Sequence, residues 1–454
     1  MRNKWRLAFG LFLAVSSALA SAEEPGTAVT VYSNNLALVR EVRSLSLSQR
    51  LEAYRLVDIP DRIDPSSLSL KSLSAPGSVR LLEQRFEFDL AESDRLFQRF
   101  VGRPIIVTDK QGQAFTGTLL HVPSGDLLLQ MENKAVQLIR SDSLATIQFP
   151  SLPEGVITRP TLSWLLECEK PGNHKVEITY LTEGIGWQAD YVALTNQDET
   201  ALDLAGWATI ENRSGASFTD VQVSLMAGDV RRLQPSPVPR MPAEERFAVA
   251  AKAAPEFVEV PFFDYHLYRL GRAASLPDRQ VKQISLFAPA SVKVSKSYRY
   301  EGQRENNRVQ VALEFSNDRE HGPGIPLPSG RMRVYKEDEK GSLRFIGEDR
   351  MDPTPKGEKV RVALGNAFDL SGERTVKERT QVTKSSRQES IEIRIRNHKP
   401  ERISVTVVEN FWGDWKIIGK TPPVQKQDAN KVEFEVAVPA DGETVFEYQV
   451  LFRD

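Results

Sequence analysis

Apolar and polar residues alternate with a period of two along most of this chain, in short runs closed off by Gly, Pro, Asn and Asp. That is the pattern of strands with one buried face. Clear runs are Lys175–Tyr180, Val221–Leu225, Val309–Phe315, Ile391–Ile395, Ile403–Val407, Val432–Val438 and Val445–Leu451. No long amphipathic helix interrupts them. One short helix is predicted from Leu90 to Phe100. Asp89 stands at its N-cap, Glu92 follows at capping-box spacing, and Leu90, Phe97 and Phe100 share a face with Leu96 beside them.

The punctuation between runs predicts a mainly β, multi-domain chain. Residues 23–100 form an N-terminal β region ending in the helix. In residues 101–150, five short runs (Val101–Thr108, Ala114–Leu120, Asp126–Gln130, Ala135–Ile139 and Ala145–Phe149) are separated by Lys110-Gln111-Gly112, Pro123-Ser124-Gly125 and Glu132-Asn133-Lys134. Five strands in so short a segment resemble an SH3-like or Sm-like small barrel. A unit of that size buries only about 60% of its unfolded surface, so it is expected to dock on its neighbours. Residues 151–230 read as a central β domain. The stretch 231–258, with prolines at 235, 237, 239, 242 and 255 and an alanine-rich patch, reads as a linker or long loop. Residues 259–454 hold enough runs for a β-sandwich of immunoglobulin-like type with extra strands, and the central part is assigned the same architecture.

The N-terminus departs from this pattern. Arg2, Lys4 and Arg6 precede an apolar run from Leu7 to Val15, and small residues lead to Ala20-Ser21-Ala22. That order is a secretory signal peptide over residues 1–22, cleaved near Ala22. The run is far shorter than the roughly 20 residues needed to cross a bilayer, so no membrane span is expected after cleavage. The expected location is periplasmic or secreted. Removing residues 1–22 takes away three basic residues, leaving 56 against 61 acidic ones and a net charge of −5. Nucleic acid is not expected as a partner of such a chain. The single cysteine, Cys168, excludes an internal disulfide and reads as a small buried thiol.

Reactive chemistry finds little footing. His121, His174, His266, His321 and His398 stand singly, with no H-x-H or H-E-x-x-H spacing, and no G-x-S-x-G, Walker or dinucleotide fingerprint occurs. No catalytic residue, metal ligand or cofactor is assigned. Glycoside hydrolysis needs only two carboxylates brought together in space, and Glu183, Asp190 and Glu211 lie near aromatic residues. With 61 acidic residues such coincidences are common. Among the aromatic residues, Trp187, Tyr191 and Trp207 lie in the central segment, and Trp187, Trp207 and Trp415 suit a sandwich core. Trp412 and Trp415 flank Gly413-Asp414, and a turn carrying two indoles is a candidate interaction surface. The stretch Gly324-Ile325-Pro326-Leu327-Pro328 reads as a fixed turn rather than an interaction loop.

Several phrases resemble the bacterial family known as domain of unknown function 4139, sometimes labelled mucoidy-inhibitor-like. They are LLEQRFEFDL (81–90), PTLSWLL (160–166), YLTEGIGWQADYVA (180–193), LAGWATIENRSGASF (204–218), LMAGDV (225–230), FDYHLYRL (263–270), GIPLPSGRMRVY (324–335), FIGEDRMDPTPKGE (345–358) and GNAFDL (365–370). The resemblance runs nearly end to end. It implies an envelope or secreted β protein and supplies no activity. The expectation is therefore a non-enzymatic exported binding or scaffold protein for another envelope protein or a surface polysaccharide. The alternative is an exported hydrolase acting on envelope glycans through paired carboxylates. The oligomeric state stays open.

Overall fold

The computed structural model describes residues 26–74, 76–88, 93–122, 125–151, 157–228, 230–231, 257–419, 421–426 and 428–453. The expected signal peptide and the proline-rich stretch 232–256 lie outside these residues, as does the predicted cap at Asp89. Among the described residues the chain is mainly β, and no helix is long and apolar enough to cross a membrane.

Three sheets share the largest core. A seven-stranded sheet runs in the order Phe257–Phe262, Tyr265–Leu276, Phe218–Ala227, Thr27–Tyr32, Leu36–Leu47, Gly172–Glu183, Ile63–Ser72. A five-stranded sheet runs Gln280–Lys293, Ala201–Asn212, Ile185–Thr195, Gly330–Glu337, Leu343–Met351, and a three-stranded sheet joins Leu51–Val57, Thr161–Cys168 and Val79–Glu87. Alternation decides which face is buried. In Ile185–Thr195 the residues Ile185, Trp187, Ala189, Tyr191 and Ala193 all enter the core, while Gln188 is exposed. Cys168 is buried there too, with its thiol donating to the Gln49 carbonyl at 3.2 Å.

Strand pairing crosses the expected domain boundaries. Thr27–Tyr32 pairs in parallel with Phe218–Ala227, and Ile185–Thr195 pairs in parallel with Gly330–Glu337. The divisions 23–100, 151–230 and 259–454 therefore do not coincide with the sheets, and residues 257–276, which span the end of the expected linker and the start of the expected C-terminal region, complete the first sheet. The physical reason is that a parallel pair needs a long connection, which here carries other strands with it. Gly330 makes the second parallel pair possible, because a Cβ there would sit 2.2 Å from the Ala189 carbonyl oxygen. The proline-rich turn after Gly324 is bound into the same core. Tyr268 and Tyr191 donate their hydroxyls to the carbonyls of Pro326 and Pro328, each at 2.8 Å.

Residues 104–148 make a sheet of their own, in the order Leu144–Gln148, Pro104–Asp109, Ala114–His121, Leu127–Met131, Val136–Ile139. Every pairing in it is antiparallel. The helix Ser93–Phe100 packs Phe100 and Phe97 on Phe149, with ring centroids 4.3 and 6.0 Å apart, so its apolar face closes a separate small core.

The remaining nine strands form one sheet: Asp414–Ile418, Gly442–Arg453, Ser386–Asn397, Lys359–Thr383, Arg308–Ser316, Ser295–Tyr300, Ile403–Asn410, Lys431–Val438, Val424–Lys426. Its first and last strands are joined directly by residues 419–423. So short a link spans at most about 20 Å. The sheet is therefore curled until its edges approach one another, around a core that includes Tyr298, Tyr300, Val405, Phe434 and Tyr448. The long strand Lys359–Thr383 stitches the two bodies together, because Val360 and Val362 belong to the large core and Leu370 to this one.

Candidate functional site

Where the inner face of the curled sheet takes the apolar residues of each strand, the outer face takes the alternate ones. Across Lys359–Thr383, Arg308–Ser316, Ser295–Tyr300, Ile403–Asn410 and Lys431–Val438, those outward positions include Lys359, Arg361, Glu314, Ser297, Arg299, Thr406, Glu433 and Glu435. They line a trough of 590 Å³, walled on one side by Pro423 and Val424.

Four of the six charged groups that line the trough are paired with one another. Arg299 meets Glu433 at 3.3 Å, and Arg361 lies 3.6 Å from Glu314 and donates to the Gln310 side chain at 2.7 Å. Ser297 donates to Glu314 at 2.7 Å, while Ser404 and Thr406 both donate to Glu435. Lys431 adds a second cation to Glu433, at 2.8 Å. Burial first, and then the Arg299 guanidinium, shift Arg361 below the usual arginine range, with Glu314, Asp349 and Glu433 opposing the shift. Counting only the lining groups, three cations face three carboxylates, so the trough carries no net charge.

The expected tryptophan pair is split by the structure. Trp412 is 69% exposed. Trp415 instead stacks on buried Phe411 with centroids 5.1 Å apart and donates its indole N–H to the Ala429 carbonyl at 2.7 Å, which uses it as packing. Trp412 follows the end of Ile403–Asn410, where Asn410 pairs with Lys431, while Thr406 of the same strand pairs with Glu435 in the trough. It thus lies beyond one end of that strand pair and does not line the trough. Of the aromatic residues assigned to the core, Trp187 is buried and Trp207 is only half-buried, opposite Asp190 across the strand pair.

Of the three carboxylates weighed for hydrolysis, Asp190 stands apart from Glu211, which pairs with Gly186 four residues along the same strand. Asp190 is buried in a polar cluster, accepting from Thr209 at 2.7 Å and Arg331 at 3.2 Å, with Arg333 at 3.9 Å. Glu211 pairs with Arg213, and Glu183 ends another strand on the exposed side. Among the described residues no three His, Cys, Asp or Glu side chains gather in an arrangement fit for a metal. A further buried carboxylate, Glu409, is fully enclosed and receives the Arg374 guanidinium at 3.0 Å on both oxygens. Burial raises its pKa above the ordinary glutamate range despite that partner.

Nothing in the sequence singled out the trough. Ser-Lys-Ser-Tyr-Arg-Tyr (295–300) and Val-Glu-Phe-Glu-Val (432–436) both read as strands with ordinary polar outer faces. Only the order of strands in the sheet sets those faces side by side. No curated protein matches the chain. Residues 176–453, more than half of the chain, match the family described as Domain of unknown function (DUF4139), and the chain belongs to that family.

Proposed function

We propose that this chain is an exported cell-envelope protein that acts by binding without turnover, holding another envelope protein or a surface polysaccharide on the outer trough of its C-terminal sheet. The observation that carries this reading is the pairing of Arg299 with Glu433 and Arg361 with Glu314 across the trough, which makes a polar contact surface and, with the hydroxyls on Glu435, leaves its carboxylates tied to donors. Export is supported by the basic, apolar, small-residue order of residues 1–22. In the same reading, residues 104–148 are an SH3-like barrel that serves packing or peptide binding, supported by their separate core and consecutive strands.

One observation favours a second reading, hydrolysis of envelope glycans. Glu433 and Glu435 lie two residues apart on one strand face, about 7 Å by strand rise, within the spacing used by inverting glycosidases. Against it, Glu433 is held by Arg299 and Lys431, and Glu435 by two hydroxyls.

Two experiments test the proposal. Cell fractionation is expected to place a mature chain beginning near Glu23 outside the cytoplasmic membrane, and an uncleaved cytoplasmic chain overturns export. Mature protein carrying Arg299→Ala and Glu433→Gln is expected to lose what the wild type retains from envelope extract. Turnover of envelope glycan by the wild type, abolished by Glu433→Gln, replaces the binding reading with the hydrolytic one.

A further inference from the structure

Resting on the binding reading above, we infer that the trough takes a chain of uncharged, hydroxyl-rich sugar rings, laid across the strands. A hydroxyl both donates and accepts. It can therefore bridge a guanidinium and a carboxylate that already touch, such as Arg299 and Glu433 at 3.3 Å or Arg361 and Glu314 at 3.6 Å, accepting from a further N–H of one and donating to a free lone pair of the other. A polyanion meets three carboxylates along with the three cations and gains nothing from the sum. An apolar peptide takes water from all six charges and offers no hydrogen bond in return.

Shape points the same way. The floor is polar, but Pro423 and the half-exposed Val424 form an apolar side wall, which matches a ring with hydroxyl edges and a C–H face. From the Lys359 strand to the Val424 wall the trough crosses five inter-strand gaps. At roughly 4.8 Å per gap that is a path of about 24 Å along the curled face, longer than one sugar ring. The ligand is thus an oligosaccharide segment and not a single sugar.

The test is calorimetric titration of the full mature protein with neutral gluco-oligosaccharides, from the monosaccharide to chains longer than the trough. Galacturonate oligomers of matched length serve as the anionic series, and both are run at low and high salt. The expected result is affinity for the neutral series that rises with length, levels off once the chain outgrows the trough and is indifferent to salt. Arg299→Ala with Glu433→Gln, checked for an unchanged melting profile, is expected to weaken it at least about tenfold. Tighter, salt-sensitive binding of the galacturonates overturns the inference of an uncharged ligand and leaves the binding reading standing. Equal affinity of wild type and variant removes the trough as the site. No saturable binding anywhere in the neutral series overturns the inference, and the retention experiment above then decides separately whether the binding reading survives.

Discussion

The five-stranded unit at residues 104–148 and the three-sheet body are built from the same kind of strand, yet they are assembled in opposite ways. In the small unit all strands come from one contiguous stretch and every pairing is antiparallel, with its own core closed by Phe100. In the body, Val29 pairs with Val223 and Tyr191 with Met332, so the sheets exist only once distant segments meet. Locally paired structure pays its loop-closure entropy in small steps, whereas the body needs many long closures at once. Damage is therefore expected to stay local in the first and to spread in the second.

Trp187→Ala is expected to have the largest effect. It removes a buried indole whose N–H reaches the Met226 carbonyl at 3.0 Å on the facing sheet, and core aromatic truncations cost about 3–5 kcal/mol. Hydrogen exchange is expected to show protection lost across both sheets of the body while Ile105 and Val107 in the small unit keep theirs. Equal loss in the small unit means the two regions unfold together. Ile105→Ala is the mirror experiment, costing about 2–5 kcal/mol, with loss of protection confined to residues 104–148. Spread of that loss into Ile185–Thr195 erases the contrast.

The curled C-terminal sheet extends the contrast to electrostatics, because its core encloses Glu409 beside Arg374. The folded pKa of Glu409 lies above the ordinary value of 4.5. Between those two values the folded chain holds a proton that the unfolded chain has released, so this group's contribution falls as pH rises through that window. Glu409→Gln is expected to flatten that part of the stability profile, read as urea midpoints from pH 4.5 upward. An unchanged slope means that burial is not what governs this carboxyl. The smallest effect is expected from Trp412→Ala. The mostly exposed indole has little buried surface to lose, so stability should stay within about 0.5 kcal/mol, whereas Phe411→Ala beside it should cost about 3–5 kcal/mol. A large thermal shift for Trp412→Ala contradicts its exposed placement.

Strand identity was legible because period-two alternation names the buried face of each run without reference to a partner. Ile403–Val407 and Val432–Val438 lie within observed strands and bury the residues their alternation selects. The small unit was legible as a contiguous set of strands because its turns separate consecutive, mutually paired runs. Its helix showed through Phe97 and Phe100, which do pack on the sheet. Trp412 and Trp415 were not separable, since two indoles around Gly413-Asp414 look equivalent until Phe411 and the Ala429 carbonyl select one of them for packing. The division at residues 231–258 carried a composition shift that strand pairing ignores, because Phe257–Phe262 returns to the sheet that the N-terminus began.

By itself the sequence determined that this chain is mainly β, which side of each strand is apolar, and that Cys168 is a buried single thiol. Tertiary structure alone decided which strands are neighbours, that Gly330 admits a parallel partner, and that eight polar residues from five strands share one trough. The reason is physical. Alternation fixes the face a side chain occupies, but the partner of a strand is chosen by how whole faces bury one another, and a binding surface made across strands is written in that choice.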